Sequence, residues 1–146
     1  MLGPRPHDEV LSLVAQARLF VLPSFHEGLP IALLEALSLG KPVVASDIEP
    51  HREILTHGVN GFLFRTGDSQ SLADVLDEVW ALGPEALAAI GARGRETVER
   101  DYSWDHALRA TLDAYRSLGV SSGSTPAQDR DENLGNVAYR RPGDRR

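Results

Sequence analysis

The chain has 146 residues, 42% of them hydrophobic and 25% charged, the composition of one soluble globular domain and not of a disordered polymer. It contains no cysteine, which removes disulfides, thiolate nucleophiles and cysteine metal sites. Its net charge of −6 is the wrong sign for a nucleic-acid or anionic-membrane surface. No apolar run approaches the ~20 residues that span a bilayer, and residues 1–6 lack the basic-then-apolar order of a signal peptide, so a cytoplasmic domain is expected. Lys41 is the single lysine among 15 basic residues, a bias that reads as GC-rich coding and not as selection for phosphate.

Residues 8–17 place Val10, Leu11, Leu13 and Val14 at helical spacing, with Asp8 and Glu9 where a helix N-terminus favours negative charge. Leu19-Phe20-Val21-Leu22 is a continuous apolar run stopped by Pro23-Ser24, the pattern of a buried strand. Residues 30–39 predict a helix with proline in its first turn and Gly40 just past its end, and Leu33, Leu34 and Leu37 are its core candidates. Residues 42–45 read as a second strand, 51–55 as a helical turn or two, 58–61 as a turn and 61–64 as a third strand.

Asp68 or Ser69 can cap a helix that carries Leu72, Val75, Leu76, Val79 and Trp80 on one face. Two more amphipathic helices follow over 84–100 and 103–118. The second bears an apolar stripe of Trp104, Leu108, Leu112, Tyr115 and Leu118. From Val120 onward only Leu134, Val137 and Tyr139 are large and apolar, too few to offset an ordering cost of ~1–2 kcal/mol per residue. The expected division is therefore a folded part over 1–119 and a disordered tail over 120–146. Short apolar strands alternating with helices predict an α/β fold: a partial Rossmann-like parallel sheet of about three strands, flanked by helices.

The segment that can carry chemistry is 23–37, which leaves one strand and enters a helix. In parallel α/β sheets, ligands bind beyond the carboxyl ends of strands. A helix N-terminus offers free N–H groups to a phosphate. Glu27 in the loop and Glu35 in the second helical turn add two carboxylates, which are acceptors only and suit sugar hydroxyls. This combination describes a nucleotide-sugar pocket. The other reading stays open: Glu27 can serve the helix dipole, and Glu35 can be a solvated helical residue.

The order of Ala17-Arg18-Leu19-Phe20-Val21-Leu22-Pro23-Ser24, Glu27-Gly28-Leu29-Pro30, Leu34-Glu35-Ala36, Gly40-Lys41-Pro42-Val43-Val44-Ala45-Ser46 and Asn60-Gly61-Phe62-Leu63 resembles the donor-binding half of the family 4 retaining glycosyltransferases. Those enzymes have the GT-B architecture, two Rossmann-like domains facing a cleft, and two signature glutamates separated by seven residues, met here by Glu27 and Glu35. The resemblance runs from Leu2 to about Leu118. It implies a nucleotide-sugar donor as ligand, with Glu35 accepting from ribose hydroxyls. Glu27 would be the catalytic-side residue, near the transferred sugar. The backbone around Gly28 and Leu29 would approach sugar and diphosphate, with Pro30 entering the helix. Retention is expected without a protein nucleophile, the leaving phosphate oxygen assisting deprotonation of the acceptor. Resemblance also implies what is not matched: the N-terminal acceptor domain, the first strands of the donor domain, and the arginine and lysine that hold the diphosphate. The chain thus reads as a fragment needing that domain or a partner chain. The alternative is a non-catalytic nucleotide-sugar-binding module or an inactive remnant.

His26 can reach the sugar or simply be a polar loop residue, and Ser24 can bind phosphate or end the strand. Glu53 is open between a helix cap and a pocket role. His7, His26, His51, His57 and His106 show no zinc-like spacing beyond His51-Arg52-Glu53, so no metal is expected. No glycine-rich dinucleotide fingerprint follows a strand, and no cofactor is expected.

Overall fold

The computed structural model describes residues 3–118. In chain order the elements are α1 (His7–Gln16), β1 (Phe20–Leu22), α2 (Ile31–Ser38), β2 (Val43–Ser46), α3 (Glu49–Ile54), β3 (Phe62–Phe64), α4 (Ser69–Ala81), α5 (Pro84–Asp101) and α6 (Trp104–Ser117). The three strands form a parallel sheet in the order β1-β2-β3, with Phe20 opposite Val43 and Val44 opposite Phe62. A compact unit ends at Arg109, and Ala110 begins a second, of which the last turns of α6 are described. The tail expected over 120–146 lies outside the described residues.

Strand β2 is the centre of the compact unit. All four of its residues are buried, as a strand covered on both faces requires. Alternation sends Val43 and Ala45 into a cluster with Leu33, Ala36, Leu37, Ile54 and Leu55. Val44 faces the other way, into a cluster with Phe62, Phe64, Val75, Val79, Leu87 and Ile90. The expected α/β class is the observed one. Helices close both faces of the sheet.

Capping explains most element boundaries. Asp68 is the N-cap of α4, its carboxylate accepting from the amides of Gln70 and Ser71. Gly40 ends α2 with φ +67°, the left-handed conformation that glycine adopts without steric cost. Helix α3 begins at Glu49, two residues before the expected start, because Pro50 fits its first turn. That places Glu53 in the second turn of α3 and not at its N-terminus, where Ile48 is the cap residue.

Two apolar faces are covered only in part. Helix α1 buries no residue: Val14 packs against the first cluster while Val10 and Leu13 stay exposed. Trp80 is also exposed, with the Arg18 guanidinium 4.9 Å from its ring centroid, so a cation–π contact takes the place of core packing. At the sheet's outer edge the Leu63 amide donates to His57 Nδ1 at 3.0 Å, and a bridge joins His57 to Gly61.

Candidate functional site

Parallel strands put their carboxyl ends on one side, so the loops after β1, β2 and β3 meet there. Three contacts lock them together. The buried Ser46 hydroxyl, at the end of β2, donates to the Ser24 carbonyl in the loop after β1. The Asp47 amide donates to the Phe64 carbonyl at 2.9 Å, and its carboxylate accepts from the Thr66 amide at 2.8 Å and the Thr66 hydroxyl at 2.7 Å. Those Thr66 bonds, hydroxyl first and amide second, hold the Asp47 pKa below its ordinary value. Finally, Gly67, with φ +74°, leaves room for the Phe25 ring: a Cβ there would lie 3.3 Å from Phe25 Cε1.

Behind this rim His51 is fully buried. Its Nδ1 donates to the Ser46 carbonyl at 2.8 Å, which leaves Nε2 buried with no hydrogen-bond partner. The histidine therefore supports the residue that holds the β1 loop and stands apart from any set of metal ligands. Asn60 and Gly61 prove structural as well. The buried Asn60 amide donates to Ile54 O and Thr97 Oγ1, and a Cβ on Gly61 would come within 2.8 Å of the Leu55 side chain.

The expected site residues divide between the loop and α2. Ser24 Oγ donates to Glu27 Oε1 at 2.7 Å, so one oxygen of the half-buried Glu27 is oriented from within its own loop. His26, Gly28 and Leu29 are exposed, and His26 makes no side-chain hydrogen bond among the described residues. Pro30 is buried and its carbonyl accepts from Leu33 and Leu34, which starts α2. The amides of Gly28, Leu29 and Ala32 are not taken up within the described residues. They are the open donors that a helix start presents to an anion.

Glu35 lies about 6 Å further along the axis of α2, at 1.5 Å per residue. Its Oε1 is 2.7 Å from Nε2 of His7, the first residue of α1. His7, Ser46 and His51 are thus the residues that sequence reasoning did not attach to this region. His7 and Ser46 act across 28 and 22 residues of chain, and His51 acts through the Ser46 carbonyl five residues before it, a link that no motif spacing signals. Among the described residues no group of three or more His, Asp or Glu side chains could hold a metal ion, and no helix is long and apolar enough to cross a membrane.

The family model for glycosyl transferases group 1 matches residues 1–97. The chain belongs to the group 1 glycosyltransferases. It is 32% identical over 124 residues to the amylovoran biosynthesis glycosyltransferase AmsK of Erwinia amylovora, covering 81% of this chain and 30% of AmsK. The C-terminal domain of the group 1 glycosyltransferase LpcC from Francisella tularensis superposes with a TM-score of 0.64 at 25% identity, over 71% of this chain and 53% of that one. That match identifies the three parallel strands and their helices with the C-terminal domain of the GT-B architecture. Anabaena HepE, solved in complex with UDP and glucose, superposes with a TM-score of 0.65 at 28% identity, over 81% of this chain and 31% of HepE. The chain therefore spans about a third of the length of AmsK and of HepE.

Proposed function

We propose that this chain is the donor side of a retaining glycosyltransferase, holding a nucleotide-sugar while its sugar passes to an acceptor. The observation that carries the reading is the order of groups leaving β1: the Glu27 carboxylate, the open amides of Gly28, Leu29 and Ala32, then the Glu35 carboxylate. A diphosphate suits the amides, and its two attached sugars suit the flanking carboxylates. Membership of the family and the likeness to HepE, which holds UDP and glucose, support it.

In this reading Glu35 accepts from the ribose hydroxyls. A carboxylate offers about four lone-pair positions, of which His7 takes one. Glu27, fixed on one oxygen by Ser24, accepts from hydroxyls of the transferred sugar and stabilises the positive charge that grows as the glycosidic bond breaks. His26 offers a ring donor beside that sugar, and buried Pro30 fixes the helix start. The departing phosphate oxygen takes the acceptor's proton, so no side-chain nucleophile is needed. Transfer requires the remainder of a two-domain enzyme, supplied with this chain or by a partner. A second reading, a non-catalytic nucleotide-sugar-binding module, uses the same open amides and flanking carboxylates without transfer.

Calorimetry with UDP-, GDP- and ADP-sugars tests the first step. Loss of a charge-assisted hydrogen bond costs about 1.5–3 kcal/mol, so Glu35→Gln is expected to weaken donor binding more than about tenfold. In a complemented enzyme, Glu27→Gln is expected to lower turnover more than it weakens binding of the bare nucleoside diphosphate. Unchanged donor affinity in Glu35→Gln removes that residue from the site. Equal losses in both measurements for Glu27→Gln assign it to loop structure. Turnover without the second domain, or none with it, decides between enzyme and binding module.

A further inference from the structure

We infer that His7 is a positioning residue for the nucleoside end of this site, holding Glu35 in the orientation that meets a ribose. The inference rests on the donor-site reading and adds to it a residue from a different helix. His7 opens α1, and its Nε2 donates to Glu35 Oε1 at 2.7 Å across 28 residues of sequence. The two side chains are 68% and 31% exposed, so the pair is open to a ligand and not sealed in the core.

Stability does not account for the bond. Exposed ion pairs contribute little, and α1 buries no residue that it would need to anchor. The other side-chain bonds of α1, Ser12 to Asp8 O, Gln16 to Ser12 O and Arg5 to Glu9, stay within the helix or its leading turn. Among the described residues His7–Glu35 is the side-chain hydrogen bond that carries α1 to another element. What it does is restrict Glu35. A glutamate carboxylate turns freely about its last torsion. A ribose diol needs two acceptor positions in one plane, and ordering them beforehand spares the entropy otherwise lost on binding.

The test measures UDP, GDP and ADP affinity by calorimetry on the full chain, taking the tightest as probe, with 2′,3′-dideoxy nucleotide and inorganic pyrophosphate as controls. His7→Ala is expected to weaken the ribonucleotide about fivefold, the worth of one ordinary hydrogen bond. The dideoxy nucleotide and pyrophosphate are expected to keep their wild-type affinities. His7→Gln, whose amide nitrogen reaches where Nε2 lies, is expected to restore binding to within about twofold. His7→Ala/Glu35→Gln is expected to bind no worse than Glu35→Gln alone, since one variant acts through the other. Wild-type or tighter ribonucleotide binding by His7→Ala, with Glu35→Gln still weakened, overturns this inference alone. An equal loss for pyrophosphate makes His7 merely structural and overturns it too. A wild-type chain that binds no nucleoside diphosphate overturns this inference and the donor-site reading together.

Discussion

At Gly28 an added Cβ meets nothing within 4 Å, and the backbone is not in the left-handed region. Neither packing nor conformation asks for glycine there. If the diphosphate approaches this backbone, a methyl group intrudes only in the complex. Gly28→Ala is therefore expected to keep the wild-type urea midpoint while weakening nucleotide-sugar binding. An overpacking cost of about 1–3 kcal/mol corresponds to a loss of roughly 5- to 150-fold. Equal binding by the two proteins moves the ligand away from this loop. Asp47 makes the opposite kind of residue, one that serves the fold. Its folded pKa is depressed chiefly by the Thr66 hydroxyl and amide, from an ordinary value of 3.8. A depressed carboxylate contributes stability that is complete above the ordinary value and disappears as pH falls through the folded one. The urea midpoint is expected to fall on acidification below about pH 4, and Asp47→Asn is expected to flatten that part of the profile. An unchanged slope in the variant shows that other carboxylates set the acid limit.

Helix α5 is seated through two glycines. A Cβ on Gly91 would stand 2.2 Å from the Gly40 carbonyl oxygen, and one on Gly94 would stand 2.6 Å from the Leu37 side chain. The first obstacle is backbone at the end of α2, so α5 itself has to move. Gly91→Ala gains about 1 kcal/mol of helix propensity but meets an overpacking cost of about 1–3 kcal/mol or more. A net loss in denaturant stability is expected, and a stabilised Gly91→Ala protein contradicts this seating.

The elements themselves were legible because each is announced within a few residues. Pro23-Ser24 stops β1, Asp68 caps α4 and Gly40 ends α2. The strand-turn-helix order likewise placed Glu27 in the loop after β1 and Glu35 in α2. What stayed hidden was set by packing between distant segments. The Ser46–Ser24 bond joins residues 22 apart and His7–Glu35 joins residues 28 apart, separations over which no periodicity speaks. Helical spacing also put Trp80 on one face with Leu72, Val75, Leu76 and Val79, and lined up Val10, Leu11, Leu13 and Val14 along α1. Spacing reports which residues share a face, but what covers that face is decided elsewhere in the chain. Arg18 covers Trp80, and α1 is left with Val14 alone against the core cluster.

At the scale of the whole molecule the two margins of the sheet differ. The Phe20 amide donates inward to Pro42 O at 3.0 Å. In a parallel ladder the intervening residue points the other way, so the Val21 amide and carbonyl face outward, and no described residue takes them up. An open strand margin is a template for pairing. The isolated chain is expected to self-associate through β1 in sedimentation experiments. Val21→Pro, which removes an outward N–H without costing a ladder bond, is expected to abolish that association. Association that survives the substitution shifts the contact elsewhere, with the exposed Trp104 and Leu108 of α6 the next to substitute.

On the opposite margin His57 already takes the Leu63 amide. Strand addition is thus available on one side only, which limits stoichiometry. Two chains that pair β1 against β1 are related by a twofold axis, and each consumes the other's single vacancy. Such a pairing closes on itself and cannot propagate into a fibre. Raising the concentration should therefore saturate at two copies, with a plateau in scattering mass where a two-margined sheet would keep climbing.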